Sequence, residues 1–231
     1  MYEKTVQVPQ TGWKLSSLFH ELQEAAGEAS ALWHASGEDL AGHGLMWVVV
    51  RYEASFSQPI LPGESITIKT WAQPFRHMMS QRSYILSDQQ GNSVVTAAGI
   101  WTIVDRNTRK MVDPSVFPVS FPNESVKYSV NRPKAPEKTA LIHHGTHVVQ
   151  PVDLDTNMHM NNTRYFDLVE NQLGKKAHEQ QIQTVRAAYL NEARMGDRID
   201  FHWGNETDLF YFFGKIKDLS CFEISIRYQS L

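Results

Sequence analysis

The sequence predicts an α+β fold made of two similar halves, each with one helix and four long antiparallel strands. Three observations point to it. Two segments have the three- and four-residue apolar spacing of an amphipathic helix, and two series of segments are rich in β-branched and aromatic residues. A proline-rich stretch separates the two series. Long antiparallel strands of this kind can wrap around a helix, so each half is expected to form its own layer of sheet and helix.

Two helices follow from the spacing of apolar residues. Residues 14–34 are rich in good helix formers, and Thr11-Gly12 precedes them as a plausible start. A shorter helix is predicted after Asn162, with Gly174 as its stop. Its apolar face holds Tyr165, Phe166, Val169 and Leu173, and that of the first helix holds Leu15, Leu18, Leu22, Ala25, Ala26, Ala29 and Leu32.

Eight strands are predicted from β-branched and aromatic content and from the turn residues between segments. A short extended piece is also expected before each helix, near residues 4–8 and 146–151. The first series comprises residues 45–56, 65–73, 80–87 and 93–104, and the second comprises residues 182–191, 198–203, 209–218 and 221–229.

The connector between the two series suggests where the halves meet. Residues 113–146 contain five of the ten prolines among polar residues, which suits a spacer that runs over the surface. The predicted organisation is therefore an N-terminal half over residues 1–112, a linker over 113–146 and a C-terminal half over 147–231. The same order of elements on both sides of the linker, with a weak match around Val49-Val50-Arg51 and Val185-Arg186, favours a duplication.

Composition excludes several classes of protein. The net charge of −3 provides no global basic field for nucleic acid or an anionic membrane. The single cysteine, Cys221, allows no intrachain disulfide. The first residues lack the apolar core of a signal peptide, and no run approaches a membrane span. A cytoplasmic protein is therefore expected.

Polar residues with chemical potential are concentrated just before the second helix, in residues 153–164. A helix entry explains one or two of them, because Asp and Asn favour turns and caps. It does not explain a histidine and two carboxylates beside a helix N-terminus, where free backbone donors can stabilise an oxyanion. A nearby carboxylate or imidazole can activate water. The cluster comprises Asp153, Asp155, Asn157, His159, Asn161 and Asn162.

The segment DLDTNMHMNNTRYFDLVE resembles the signature of the fatty acyl-acyl carrier protein (acyl-ACP) thioesterases of plants and bacteria, D-x-N-x-H-x-N-N. The pattern falls on Asp155, Asn157, His159, Asn161 and Asn162. Residues 189–199, YLNEARMGDRI, are similar to a later strand of that family, whose Glu corresponds to Glu192. The likeness extends over nearly the whole chain, and includes GLMWVVVRYEASF and TAAGIWTIVDRNTRKMV.

The resemblance implies a tandem (double) hot-dog fold, with each half an antiparallel sheet wrapped around a long helix. It also implies hydrolysis of fatty acyl-ACP thioesters, which releases free fatty acid and terminates chain elongation in fatty acid biosynthesis, with no cofactor and no metal. The implied catalytic residues are Asp155, Asn157, His159 and Glu192. Asn161 and Asn162 are expected either to bind substrate or to cap the helix, and the carrier protein is the expected partner.

Two mechanisms stay open. Glu192 and His159 can share the role of base towards water, with Asp155 holding Asn157 or His159 in place, or a carboxylate can attack directly and form an anhydride. A cysteine nucleophile is not expected at this motif. The cysteine often found in plant members is Ala193 here, and Cys221 is interpreted as a buried small hydrophobe.

The N-terminal half is expected to lack a catalytic set, since Ser57 aligns with Glu192. It should supply core and an acyl-chain pocket. A metal site at His143, His144, His147 and Asp153 is disfavoured relative to a solvated loop, because their spacing is unlike that of known ligand sets. A basic patch for the acidic carrier protein, or scattered surface charge, could account for Arg76, Arg82, Arg106, Arg109 and Lys110.

Alternative functions remain at this stage. The fold would also suit an acyl-CoA thioesterase, a dehydratase or hydratase, or a non-catalytic acyl-binding protein. The Asn-x-His-x-Asn-Asn pattern and a distant Glu fit the dehydratases poorly. Because exposed sheet edges can pair two chains, a homodimer is expected rather than a monomer.

Overall fold

The computed structural model describes residues 1–117, 119–122, 126–138, 140–174 and 180–229. Short 3₁₀ turns lie at Pro114–Val116 and Pro151–Asp153. The helices are α1 (Leu15–Ala31), α2 (Gly37–Ala41) and α3 (Arg164–Leu173), and the strands are β1 (Tyr2–Gln7), β2 (Leu45–Phe56), β3 (Ser65–Ala72), β4 (Met79–Ser87), β5 (Ser93–Asp105), β6 (Ile142–Val148), β7 (Ile182–Tyr189), β8 (Arg198–Glu206), β9 (Leu209–Ile216) and β10 (Leu219–Tyr228).

The chain divides into two compact units. The first unit comprises Met1–Trp13 and His20–Val130, and the second comprises Lys14–Phe19 and Asn131–Leu231. The first unit has the strand order β1-β3-β4-β5-β2, and the second, read from its own first strand, has β6-β8-β9-β10-β7. All these neighbours are antiparallel. Both units thus place their five strands in the order first, third, fourth, fifth, second, as two copies of one arrangement would.

The strands agree closely with the sequence prediction. β2 has the predicted bounds, and the largest difference is in β8, which continues to Glu206 because its alternation persists beyond residue 203. The aromatic run at the start of β9 contributes Phe210, Tyr211 and Phe212 to the core. The short helix α2 was not predicted. Its capping box joins Ser36 and Asp39, whose side chains each accept a bond from the other residue's backbone N–H.

Helix α1 ends earlier than the sequence predicts. The apolar face holds as far as Ala29, but Leu32 lies beyond the last helical residue and is 66% exposed. The chain turns there, since the backbone N–H groups of Trp33 and Ala35 both donate to the carbonyl of Ser30. The prediction that Leu32 belongs to the buried face is therefore wrong. The helix ends at a local turn, although the apolar spacing in the sequence continues as far as Leu32.

Helix α3 confirms the prediction of a second helix that stops at Gly174. Gly174 has φ 56°, a left-handed conformation that glycine adopts without a Cβ penalty. Its four predicted apolar side chains are buried, and the ring of Tyr165 packs 4.6 Å from that of Phe222 on β10. Burial of each such side chain contributes about 2 kcal/mol. Among the described residues, no helix is long and apolar enough to span a membrane.

The connector is tied to the sheets by hydrogen bonds. In the first unit, Trp71 Nε1 donates to the carbonyl of Val126 at 3.0 Å and Gln81 Nε2 donates to that of Tyr128 at 2.7 Å. In the second unit, Arg132 donates two bonds to the carboxylate of Glu223. The end of the predicted linker is part of β6. Pro118, one of the linker prolines, lies outside the described residues.

Candidate active site

A tight loop around Asp155 carries the central part of the signature. The Oδ1 atom of Asp155 accepts hydrogen bonds from the backbone N–H groups of Asn157 at 2.8 Å and His159 at 3.3 Å. The backbone N–H of Asp155 donates in turn to the carbonyl of His159 at 2.8 Å. Met158, between them, has φ 63°, which the closure of so short a loop requires. The Asp155 carboxylate therefore fixes the backbone on which Asn157 and His159 stand.

The same loop is bonded to the segment that follows β7. The backbone N–H of Met160 donates to the carbonyl of Ala193 at 2.8 Å, and His159 forms an isolated bridge with Arg194. This pairing brings two side chains together that are 33 residues apart in sequence. His159 Nε2 lies 2.9 Å from Glu192 Oε2, within hydrogen-bond distance. The structure thus places His159 and Glu192, two of the predicted catalytic residues, in one contact.

The His159–Glu192 pair is largely shielded from water. His159 is 7% exposed, whereas the side chain of Glu192 is 33% exposed, so the pair reaches solvent through its carboxylate. Arg194 Nη2 lies 3.7 Å from the same Glu192 oxygen. With Nε2 donating to Glu192, the imidazole is held in the tautomer whose Nδ1 carries the lone pair. A carboxylate that orients an imidazole in this way makes it an effective proton acceptor.

The two asparagines of the signature have different surroundings. Asn161 Oδ1 accepts bonds from the backbone N–H and the hydroxyl of Thr163, both at 2.9 Å, so this side chain forms an Asx turn just before α3. The N–H of Arg164 also donates to the Asn161 carbonyl. The carbonyl of Asn162 accepts the hydroxyl of Tyr189 at 3.3 Å. Asn161 therefore orders the chain just before α3. The backbone N–H groups of Thr163 and Arg164, which lie where donors to an oxyanion were expected, are bonded to Asn161 instead.

The interpretation of Cys221 as a buried hydrophobe is confirmed. It is completely buried in β10, where its Sγ donates to the carbonyl of Gly214 at 3.2 Å. Burial raises the pKa of the Cys221 thiol to about 12, so that the thiolate does not form near neutral pH. Ala193, at the position of the plant cysteine, is also buried.

The histidines before the signature form part of a strand. His143, His144 and His147 lie on β6, so the prediction of a solvated loop is wrong. The strand persists because its backbone pairs with β8. His147 Nε2 lies 2.8 Å from Asp153 Oδ2, and the same oxygen accepts the N–H of Gln150. Asp153 is thus a turn residue, as expected, and the described residues contain no group suited to hold a metal ion.

One member of the proposed basic patch is not on the surface. Arg82 is only 6% exposed, and its Nη2 donates to the hydroxyl of Ser30 at 2.8 Å. The prediction of a surface position is wrong for Arg82, because in β4 it shares the buried face with Tyr84 and Leu86. Arg76 and Lys110 are exposed.

Two residues near the site were not singled out from the sequence. Arg194 contacts Glu192, and Tyr189 contacts the backbone of Asn162. Burial raises the pKa of Tyr189, which keeps the phenol neutral. Both lie within three residues of Glu192 in the segment 189–199. This proximity in sequence could have identified them as neighbours of the predicted catalytic carboxylate.

Comparisons with known proteins agree with this fold. Three solved structures that share it cover nearly the whole chain, which places the protein among double hot-dog folds. The model of the acyl-ACP thioesterase N-terminal domain matches residues 8–115, and that of the C-terminal domain matches residues 137–221. The chain belongs to the acyl-ACP thioesterase family.

The structural likeness extends to proteins from a bacterium and a plant. An acyl-ACP thioesterase from Bacteroides thetaiotaomicron has a TM-score of 0.86 at 16% identity, over 98% of this chain and 97% of its own. The 12:0-ACP thioesterase from Umbellularia californica has a TM-score of 0.77 at 13% identity, over 99% and 96%. At these identities the likeness establishes the fold.

Curated relatives come from plants. The chloroplastic oleoyl-acyl carrier protein thioesterase of Coriandrum sativum is 24% identical over 71% of this chain and 48% of its own length. A second, from Arabidopsis thaliana, is 25% identical over 68% and 47%. The chain thus spans less than half the length of these relatives.

Proposed function

We propose that this protein hydrolyses fatty acyl-ACP thioesters and releases free fatty acids. The observation that carries the proposal is the 2.9 Å contact between His159 Nε2 and Glu192 Oε2, on a loop that Asp155 holds through two backbone bonds. A buried imidazole oriented by a carboxylate is suited to activate water. Membership of the acyl-ACP thioesterase family and the plant relatives named for this activity support the choice of substrate.

In the mechanism that we favour, His159 and Glu192 remove a proton from water as its oxygen attacks the thioester carbonyl. The side-chain amide of Asn157 donates a hydrogen bond to the substrate or orients the water. The tetrahedral intermediate then expels the carrier thiolate, which takes up the proton from the imidazole. Asp155 acts as a positioning residue through the backbone of the loop, because one of its oxygens already accepts two N–H groups.

Direct attack by a carboxylate, with an anhydride intermediate, is the competing route. The contacts of the two carboxylates argue against it. Asp155 Oδ1 is engaged by the loop backbone, and Glu192 Oε2 is shared by His159 and Arg194, which lowers the nucleophilicity of both groups. A single turnover in ¹⁸O-labelled water tests for the anhydride, because water that attacks the enzyme-side carbonyl of the anhydride leaves label in the enzyme. Label in the fatty acid alone supports direct water attack, whereas label in an enzyme carboxylate would establish the anhydride.

The proposed activity is tested by thiol release from acyl-ACPs of several chain lengths. We expect release by the wild type, with losses of about a hundredfold or more in His159→Ala, Asn157→Ala and Glu192→Ala. His143→Ala is the matched control, since His143 is an exposed histidine on β6 of the same unit. Circular dichroism of each variant verifies that it is folded.

Other outcomes of this assay would point to the alternatives. Faster hydrolysis of the matched acyl-CoA than of acyl-ACP would indicate an acyl-CoA thioesterase. Saturable acyl binding without thiol release by the folded wild type would indicate a non-catalytic acyl-binding protein. The ordered His159–Glu192 contact favours catalysis over binding alone, because a binding protein has no use for an oriented proton acceptor.

The assembly and location of the protein remain predictions. We propose a cytoplasmic homodimer that meets the acidic carrier protein through a basic surface patch, to which Arg76 and Lys110 contribute exposed cations. Light scattering coupled to size-exclusion chromatography measures the mass in solution. A mass of one chain at micromolar concentration would contradict the dimer.

A further inference from the structure

A partly apolar cavity in the first unit is lined by none of the residues proposed for hydrolysis. Its volume is about 140 Å³, and it lies between the end of α1, the strands β3 and β4 and the connector. Leu32 and Trp33 form its exposed side, at 66% and 46% exposure, so the cavity communicates with solvent there. Trp71 and Phe121 form apolar walls.

The cavity is also lined by a buried cation, the guanidinium of Arg82. Arg82 is 6% exposed, its Nη2 donates to Ser30 Oγ at 2.8 Å, and its Cζ lies 6.0 Å from the centre of the Phe121 ring. Among the described residues, no carboxylate forms an ion pair with Arg82. Neither the hydroxyl of Ser30 nor the ring of Phe121 carries a negative charge.

A buried cation of this kind is costly to retain for stability alone. Removing a guanidinium from water costs several kcal/mol unless a counter-charge compensates it, and a hydrophobic residue of similar volume often stabilises as well or better. Burial also lowers the pKa of Arg82, although arginine stays protonated. The described residues provide no counter-charge for Arg82, and an open cavity lies beside its guanidinium. A ligand that brings an anionic group with it explains both observations.

We propose that this cavity binds a monocarboxylate with a compact apolar body, whose carboxylate pairs with Arg82 while its body lies against Trp71 and Phe121. Planar carboxylates match the guanidinium fork in a bidentate geometry. The volume is close to that of cavities that hold a benzene-sized molecule, so the body has the size of a short alkyl chain or a ring. A short-chain fatty acid, a product of the proposed hydrolysis, belongs to this class.

The test is isothermal titration calorimetry of the full chain with octanoate, 3-phenylpropanoate and 1-octanol. We expect a carboxylate to bind and octanol to bind at least tenfold more weakly. Arg82→Met should abolish the preference for the carboxylate while it keeps the fold, since Met fills a similar apolar volume. Glu192→Gln should bind the carboxylate like the wild type, because Glu192 does not line the cavity. The assay contains no thioester, so its outcome is independent of the hydrolysis assay. Carboxylate binding can be absent when the protein hydrolyses acyl-ACP, and hydrolysis can be absent when the carboxylate binds.

A second pair of variants keeps the test informative if Arg82→Met does not fold. Leu32 is exposed at the mouth of the cavity, so Leu32→Glu places a negative charge there without disturbing the core, and Leu32→Gln is its neutral match. We expect Leu32→Glu to weaken carboxylate binding several-fold more than Leu32→Gln, and less so at high salt. Equal binding of octanoate and octanol, carboxylate affinity unchanged in folded Arg82→Met, or loss of binding in Glu192→Gln alone would each overturn the proposal.

Discussion

At the scale of single residues, the carboxylate of Asp155 is distinguished by what it bonds to. A nucleophile or a general base needs an oxygen directed at the substrate or at water, whereas Asp155 Oδ1 is directed at the N–H groups of residues 157 and 159. The role is that of an Asx turn, in which a side chain replaces a backbone acceptor. The charge of Asp155 is therefore less important than its acceptor geometry.

This assignment predicts different effects for two substitutions. Asp155→Asn keeps an oxygen that can accept both N–H groups, whereas Asp155→Ala leaves them unsatisfied at a cost of about 1–3 kcal/mol. We expect Asp155→Asn to retain at least tenfold more activity than Asp155→Ala, and to unfold at a urea concentration closer to that of the wild type. Thiol release and urea titration measure the two effects. Equal losses of activity in both folded variants would instead assign a chemical role to the charge.

The sequence predicted which polar side chains meet better than it predicted burial. The signature contains His159, the family likeness singled out Glu192, and the structure brings these two side chains into contact, whereas their catalytic roles stay a prediction. Arg82 and Leu32 were placed wrongly, since burial depends on which strand face meets the helix and on where the helix ends. Neither property is encoded in the residue type, and an arginine on a buried face is rare enough that the surface is the natural expectation.

At the scale of elements, the first turn of α1 and the middle of α3 are joined by Glu170. Glu170 Oε1 accepts the backbone N–H of Leu15 at 2.9 Å, which satisfies one of the free donors at the start of α1. Its other oxygen, Oε2, is buried without a hydrogen-bond partner in the described part of the chain. Burial raises the pKa of Glu170 to about 7 from 4.5, and the bond from Leu15 opposes this increase.

A raised carboxyl pKa predicts that stability decreases as the pH rises. Between pH 4.5 and 7 the folded state binds more protons than the unfolded state, so the free energy of unfolding falls across that window. The full effect is on the order of 3 kcal/mol. Glu170→Gln keeps an acceptor for Leu15 but cannot ionise. We expect the wild type to lose stability relative to Glu170→Gln from pH 5 to pH 8.

Urea titrations of the wild type and of Glu170→Gln at several pH values measure this difference. The other ionisable groups are the same in both proteins, so their contributions to the pH dependence cancel. Glu24→Gln, on the exposed side of α1, is the matched control and should give a curve parallel to that of the wild type. If the Glu170→Gln curve is also parallel to that of the wild type, Glu170 does not titrate in this range and the assignment is wrong.

Elements were predictable from the sequence where periodicity is long and uninterrupted. The bounds of β2 follow from twelve extended residues, and α3 follows from its apolar face and Gly174. The helix α2 has only five residues, so it offers less than two turns of pattern, and β6 is rich in histidine and glycine rather than β-branched residues. Short elements depend on caps and on neighbouring strands, which local patterns do not encode.

At the scale of the whole molecule, the repeated strand order supports two copies of one unit that have diverged in chemistry. Glu192 lies in the segment between the second and third strands of its unit, β7 and β8, and Ser57 lies in the corresponding segment between β2 and β3. The hydroxyl of Ser57 donates to the carbonyls of Ser93 and Val94, and in the described part of the chain no imidazole is paired with it as His159 is with Glu192. The proposed catalysis therefore belongs to the second unit. The first unit can bind a different ligand, as we propose for the cavity at Arg82.

One catalytic copy per chain predicts the binding stoichiometry. A non-hydrolysable thioether analogue of acyl-ACP should bind the wild type at one equivalent per chain in calorimetry, with the unacylated carrier as the control for binding through the carrier alone. Ser57→Ala should leave both the stoichiometry and the rate of thiol release unchanged, because Ser57 has no part in the proposed chemistry. Two equivalents per chain would mean that the first unit retains a functional acyl-carrier site. Half an equivalent per chain would instead mean that a dimer presents a single site to its partner.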